Sequence, residues 1–395
     1  MERRHLGKLL KKKSTNQQSE QLIDKIGTSC DWQTLLREFV ECESPSHDKA
    51  LVDAFGARVA AEFEKLGGRI EWSPKPDAGN VLQVDFAGTG RKKPLLLLGH
   101  LDTVYEQGTL RRMPCRVASG KMYGPGVFDM KGGIVMMLLA IAALKDEHGE
   151  LPRPVTVLLN PDEEIGSRAS RKITERVARK CAAVLVLEPA AGPKGACKTA
   201  RKGVGDYVLR VIGRSAHAGL DFQKGANAIN ELAYQLERIA ALTDLKRGTT
   251  LNPGIIRGGT RTNVVPDLAE AEFDVRVASR KEAERLDRKI QALKPRDRRC
   301  TLEISGGVNR DPFERTADVA ALYRQARTIA AELGFALEET AVGGGSDGNF
   351  TAGVGVPTLD GLGAVGDGAH ALHEHVILAE IPRRAALLAR LIETI

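Results

Sequence analysis

The sequence predicts an α/β protein with a mostly parallel central sheet, into which a smaller ferredoxin-like α+β domain is inserted. Three observations lead there. First, Leu95–Leu98, Val155–Leu159 and Ala183–Leu187 are continuous apolar runs, the pattern of strands buried on both faces of a parallel sheet. Second, helical segments separate them, at 48–66, at Ile134–Leu144 and in a polar amphipathic stretch near 168–180. Strands alternating with helices make an α/β sandwich. Third, the texture changes after about residue 201. Val204–Ile212 alternates apolar with polar, Asn227–Leu242 reads as a helix, and strand-like pieces follow at 251–257 and 262–277. Arg280–Leu293 is a charged helix and Cys300–Ser305 a last strand, giving the order β-α-β-β-α-β of a ferredoxin-like sheet. From about 311 the α/β texture returns, with a helix at 318–333 and a buried strand near 354–359. The expected domains are 1–201 and 311–395 as two parts of one catalytic unit, with 202–310 inserted.

Length and composition agree with two domains. The 395 residues exceed what one core usually organises. An apolar share of 42% is too high for a disordered chain. No apolar run approaching a membrane span is read from the sequence, so no membrane partner is expected. Six scattered cysteines without a Cys-x-x-Cys pair suggest neither a disulfide framework nor a thiolate zinc site. The formal charge is +7, with Arg3, Arg4, Lys8, Lys11, Lys12 and Lys13 facing only Glu2. No aromatic residue interleaves these charges, so a solvated tail is preferred to a nucleic-acid arm. Leu6, Leu9 and Leu10 are too few for a signal-peptide core, and a cytoplasmic protein is expected.

The chemistry is concentrated just beyond the buried strands. Gly99-His100-Leu101-Asp102 follows the first, Asn160-Pro161-Asp162-Glu163-Glu164 the second and Glu188-Pro189 the third. Asp129-Met130-Lys131-Gly132-Gly133 precedes a helix, and Gly366-Asp367-Gly368-Ala369-His370 lies near the C-terminus. Sites in open α/β sheets form at the carboxyl ends of strands. So many acids need compensating positive charge, which two divalent cations would supply. His100 and His370 would give one imidazole to each, Glu164 and Glu188 one carboxylate each, and Asp129 could bridge. Asp102, two positions after His100, can accept the second imidazole N–H. Glu163 should point away from the ligand Glu164 and can take a proton from a metal-bound water.

In these motifs the chain resembles the co-catalytic dizinc exopeptidases and deacylases related to glutamate carboxypeptidase, acetylornithine deacetylase, succinyl-diaminopimelate desuccinylase and aminoacylase. The resemblance rests on His100-x-Asp102, Asp129-x-Lys-Gly-Gly, Glu163-Glu164, Glu188-Pro189 and His370 in order, and covers roughly residues 30–390. It implies a zinc-exopeptidase-like catalytic domain carrying two Zn²⁺ ions, with Co²⁺ or Mn²⁺ as substitutes. His100, Asp129, Glu164, Glu188 and His370 become ligands, with Asp129 bridging, and Asp102 and Glu163 become catalytic. It further implies that the inserted domain is a lid and homodimer interface. There His217 and Asn263 would reach the scissile carbonyl in the neighbouring subunit's site, and Arg276 and Arg310 would hold a substrate carboxylate. Gly343-Gly344-Gly345 lacks the Gly-Lys-Ser/Thr ending of a phosphate loop, and the resemblance makes Gly345 part of a backbone loop near that carboxylate.

The expected activity is amide hydrolysis releasing an amino acid from a peptide or N-acyl amino acid, by metal-bound hydroxide with Glu163 as base. A glutamate carboxypeptidase-like exopeptidase comes first and an N-acyl-amino-acid deacylase second. Lys194, Lys198 and the Arg201-Lys202-Gly203 run lean weakly towards an acidic substrate side chain. A non-catalytic metal- or nucleic-acid-binding scaffold is the remote alternative, because every catalytic position is filled.

Overall fold

The structure is a computed structural model, and it describes residues 20–28 and 31–395. The basic N-terminal tail and Cys30 lie outside the described residues. The chain divides into two compact units, the larger taking residues up to Thr199, Arg315–Ala341 and Ser346–Ile395.

The larger unit is built on strands β1 (Arg69–Ser73), β2 (Val81–Phe86), β3 (Leu95–His100), β4 (Val155–Asn160) and β5 (Ala183–Val186). Their order is β1-β2-β4-β3-β5, with Thr358–Leu359 at the far edge. β3 runs parallel to both β4 and β5, while β1 and β2 form an antiparallel edge. Alternate residues of the central strands feed opposite cores. Leu95, Leu97, Val157 and Leu159 join the main one, and Leu96, Leu98, Leu158 and Val186 a second beside Ile173 and Val177. Burial on both faces explains why these strands read as unbroken apolar runs.

Helix Gly132–His148 is apolar on every side, and all its residues from Gly132 to Ile141 are buried. Contrary to the sequence expectation, the helical stretch Val127–His148 is long and apolar enough to cross a membrane. Here its Gly132–His148 part is the core helix of the larger unit, and 89% of the most apolar window is buried. The buried strand expected near 354–359 shrinks to Thr358–Leu359. Gly355, at a φ of 82°, turns the chain before it, and Pro357 offers no N–H to a ladder.

The smaller unit comprises Ala200–Glu314 and Val342–Gly345. Its strands are β6 (Gly203–Ile212), β7 (Thr250–Gly258), β8 (Leu268–Val277) and β9 (Thr301–Arg310), with helices Ala228–Ala240 and Arg280–Gln291 between them. The sheet is antiparallel in the order β7-β8-β6-β9, the ferredoxin-like arrangement. One face packs Tyr207, Leu209 and Phe273 against Leu232, Ile239, Leu286 and Ile290. The single piece expected over 262–277 is instead two, because Pro266 interrupts the ladder. Val264–Val265 pairs with Ala216–His217, and β8 begins at Leu268. The unit also runs past the expected edges at 202 and 310. Arg201 and Phe313 exchange backbone hydrogen bonds at 2.9 and 3.0 Å, and the Lys202 N–H donates to the Val342 carbonyl at 3.1 Å.

Candidate metal centre

Strand register brings the first ligands together. Leu98 on β3 pairs with Val186 on β5, so His100, the last residue of β3, and Glu188, just past β5, face each other at the strand ends. His100 Nε2 lies 3.5 Å from Glu188 Oε1 and 3.1 Å from Asp129 Oδ1. Asp129 reaches this point from the turn before the core helix. That turn is drawn close because Gly133 has no side chain: a Cβ there would stand 2.3 Å from the Leu187 carbonyl oxygen. The other Asp129 oxygen, Oδ2, lies 3.4 Å from His370 Nε2, which is 3.1 Å from Glu164 Oε2. One carboxylate therefore presents one oxygen to each of two histidine–acid clusters. His370 itself sits in left-handed backbone, with a φ of 64°.

Asp102 lies against the His100 ring and also holds a neighbouring turn. The His100 Nδ1 is 2.9 Å from the Asp102 backbone carbonyl and 3.5 Å from its carboxylate. That carboxylate also accepts the backbone N–H groups of Glu163 and Glu164 at 3.1 and 3.2 Å and the Ser46 hydroxyl at 2.7 Å. It thereby fixes the short turn Glu163–Ile165 after β4. The two adjacent glutamates then part. Glu163 groups with His100 and Glu188 and Glu164 with His100 and Asp129, each set within 4.8 Å, and Glu164 also lies 3.1 Å from His370.

The electrostatics of this edge call for cations. Burial opposes charge on His100, but hydrogen bonds and charge from Asp102, Asp129 and Glu188 hold its pKa well above the ordinary value. Hydrogen bonds to Asp129 and Glu164 raise His370 to about 10. Burial pushes Asp129 upward, but the two imidazoles outweigh it and hold the carboxyl well below its usual range. Burial raises Glu164. Without cations, protons on both imidazoles would balance these acids. Two dications bound by the same nitrogens and oxygens would replace those protons, and one imidazole with two or three carboxylates per ion suits Zn²⁺.

Three features escaped the sequence reading. Glu374 is fully buried, and its Oε1 accepts the N–H groups of Phe128 and Asp129 at 2.8 and 3.0 Å. Burial lifts its pKa to about 7. Arg384, from the helix Glu380–Thr394, donates to the carbonyls of Gly195, Gly361 and Gly363, and the Gly363 N–H donates to the Glu188 carbonyl at 2.9 Å. Asn160, into which no role was read, donates to Thr174 and to Asp347 at 2.8 and 2.6 Å. A Glu four residues after a candidate ligand was the one available sequence signal for Glu374.

The smaller unit carries the remaining candidates. His217 Nδ1 accepts the N–H groups of Gly219 and Leu220, both at 3.1 Å, which leaves the ring proton on the exposed Nε2 as a donor. Asn263 is beside it, its carbonyl accepting the Ala218 N–H at 2.9 Å. Arg276 and Arg310 each pair with Val204, from opposite sides of β6. Arg276 is engaged by its own strand: its guanidinium grips the Asp274 carboxylate at 2.8–3.0 Å. Arg201 is buried and donates to the Gly344 and Gly345 carbonyls at 3.2 and 3.0 Å. In the larger unit Lys194 pairs with Glu338 at 2.9 Å. The lean towards an acidic substrate therefore loses Arg201 and Lys194, which already have partners.

Residues 96–394 match the family described as peptidase family M20/M25/M40. Carboxypeptidase G2 of Pseudomonas sp. is 31% identical over 366 residues, spanning 90% of this chain and 87% of that protein. A succinyl-diaminopimelate desuccinylase of Methylococcus capsulatus is 27% identical over 347 residues, 82% and 89% of the two chains. Among solved structures, aminopeptidase PepT of Bacillus cereus superposes with a TM-score of 0.77 at 23% identity, covering 92% of this chain and 97% of that one. The YXEP protein of Bacillus subtilis, described as a dinuclear metal binding peptidase, gives 0.68 at 16% identity, over 94% and 98%. The chain belongs to peptidase family M20/M25/M40, and it is a metallopeptidase or amidohydrolase of that family.

Proposed function

We propose that the protein is a dizinc exopeptidase of glutamate carboxypeptidase type, cleaving the amide that links an acyl or peptidyl group to a carboxylate-bearing amino acid. The observation that carries this reading is Asp129, whose two oxygens face His100 and His370 separately. When bound, the two cations would polarise the scissile carbonyl and lower the pKa of the attacking water. Glu163, placed beside His100 and Glu188, takes the proton from that water as its oxygen bonds to the carbonyl carbon. It then returns the proton to the leaving nitrogen as the C–N bond breaks. Asp102 holds the turn that carries this base. The preference for exopeptidase over deacylase rests on the 31% identity to carboxypeptidase G2; similarity to a desuccinylase supports the second reading.

Chelation should remove hydrolysis and Zn²⁺, Co²⁺ or Mn²⁺ should restore it. Turnover by a sample shown by elemental analysis to be free of metal would overturn the metal-dependent reading. A panel of acyl-glutamates, dipeptides and acetylated amino acids then separates the two substrate classes.

His217 is proposed to donate its Nε2–H to the developing oxyanion in the site of a second copy, with Asn263 beside it. Substrate carboxylate would meet Arg310 and compete with Asp274 for Arg276. His217→Ala should lower kcat by ~10²–10³-fold, the usual loss of one oxyanion donor. Mixed and re-equilibrated with Glu163→Ala, it should recover roughly a quarter of wild-type activity, since half the dimers are hybrid and half their sites intact. A mixture proven to contain hybrids that stays inactive would reject the exchange.

A further inference from the structure

We infer that Glu374 is a positioning residue that locks Asp129 to the His370 segment, so that the cation held by Asp129, Glu164 and His370 depends on it more than the cation on the His100 side, which shares only Asp129 with it. The inference rests on the two-cation reading above. The two clusters are supported differently. His100 ends β3 and Glu188 lies two residues past β5, so the register of the central sheet fixes them. His370 stands in a segment of turns, and Asp129 in the turn before the core helix. Those two segments are far apart in sequence, and Glu374 spans them.

Its Oε1 receives the N–H of Asp129 itself and of Phe128, so the backbone bearing the bridging carboxylate is held at one oxygen. Its Oε2 receives the Tyr105 hydroxyl at 2.6 Å, which also lies 3.0 Å from the Ala371 carbonyl, one residue past His370. The Glu374 N–H donates to that same Ala371 carbonyl, and the Ala371 N–H to Gly368. The segment 368–374 is therefore folded on itself around His370 and attached to the Asp129 turn through one side chain. A fully buried acid with both oxygens occupied in this way has an orienting part to play, like the outer partners that aim metal ligands elsewhere. What it must supply is an acceptor for two backbone donors, and an amide oxygen can do that too.

Equilibrium dialysis against Zn²⁺ and against Co²⁺, read by elemental analysis and by the Co²⁺ absorption spectrum, tests this on the full chain. The wild type should take up two ions. Glu374→Gln, which keeps an acceptor oxygen for both N–H groups, should also bind two with nearly unchanged affinity. Glu374→Ala should keep one ion and bind the second ~10–100-fold more weakly, the usual effect of removing an orienting partner. Tyr105→Phe, a gentler change that removes the hydroxyl contacts to Oε2 and to the Ala371 carbonyl, should weaken the same ion to a smaller degree. It keeps the proposal testable if Glu374→Ala does not fold by circular dichroism. Wild-type affinity for both ions in Tyr105→Phe and in any folded Glu374→Ala would overturn the proposal, as would equal loss of both. Glu374→Gln failing as badly as Glu374→Ala would overturn it too, since charge rather than acceptor geometry would then matter. A wild type that binds no ion would sink the two-cation reading itself, a distinguishable result.

Discussion

Replacing Glu163 with glutamine is expected to leave both cations bound and to lower kcat by at least ~10²–10⁴-fold, the range for loss of a general base. The amide keeps the size of the side chain, and the backbone hydrogen bond from Glu163 to Asp102 is unaffected. It cannot accept the proton of the attacking water at neutral pH. Glu164→Gln changes the neighbouring side chain, which lies against His370 at 3.1 Å, and should instead empty the cation site on that side. The pair is informative because the two residues share one turn and one Asp102 anchor, so a general disturbance of the turn would affect both alike. Elemental analysis alongside initial rates reads the difference. The assignment fails if Glu163→Gln loses metal while Glu164→Gln keeps two ions.

Asp129→Asn should bring the cation content from two to one and lower hydrolysis by more than ~100-fold. Asparagine has one oxygen donor where aspartate has two, and its NH₂ group has no lone pair for a cation. One of the two histidine clusters must therefore lose the carboxylate that now stands 3.1 Å from His100 or 3.4 Å from His370. Changing a group that merely orients a ligand costs ~10–100-fold in metal affinity, so changing the shared ligand should cost more. Two tightly bound ions in the Asn variant would show that Asp129 does not bridge.

The sequence was informative where one physical requirement dominated. Strands buried on both faces must be apolar throughout, so β3, β4 and β5 stood out, and their ends located His100, Glu164 and Glu188. β1 and β2 went unnoticed because the Arg69–Ser73 edge is polar and mostly exposed, and β2 departs from a continuous apolar run. The alternation of β6 over Val204–Ile212 announced the inserted unit. Its edges were harder, because strand-like pairing of Arg201 with Phe313 depends on segments distant in sequence.

The ligand types were legible for the same reason: few arrangements other than a metal site gather two His and several acids at one sheet edge. What held them was not. Asp102 proved to anchor a backbone turn, Arg276 to have a partner two residues away, and Glu374 to connect segments more than 240 residues apart in sequence. Each depends on where a side chain comes to rest after packing, and no spacing rule records that.

The order of the ligands along the chain has a consequence for synthesis. His100, Asp129, Glu164 and Glu188 all precede the smaller unit, whereas His370 follows it, and helix Glu380–Thr394 adds Ile381, Leu387, Leu388 and Leu391 to the main core. A growing chain on the ribosome therefore completes the smaller unit, with its own apolar core, while the larger one still lacks a wall and one imidazole. Domains generally fold as they emerge, but here the first domain to begin is the last that can finish. The acids that await His370 are left without their second cluster during that interval, so capture of the full pair of ions waits until His370 and the helix after it have joined the larger unit.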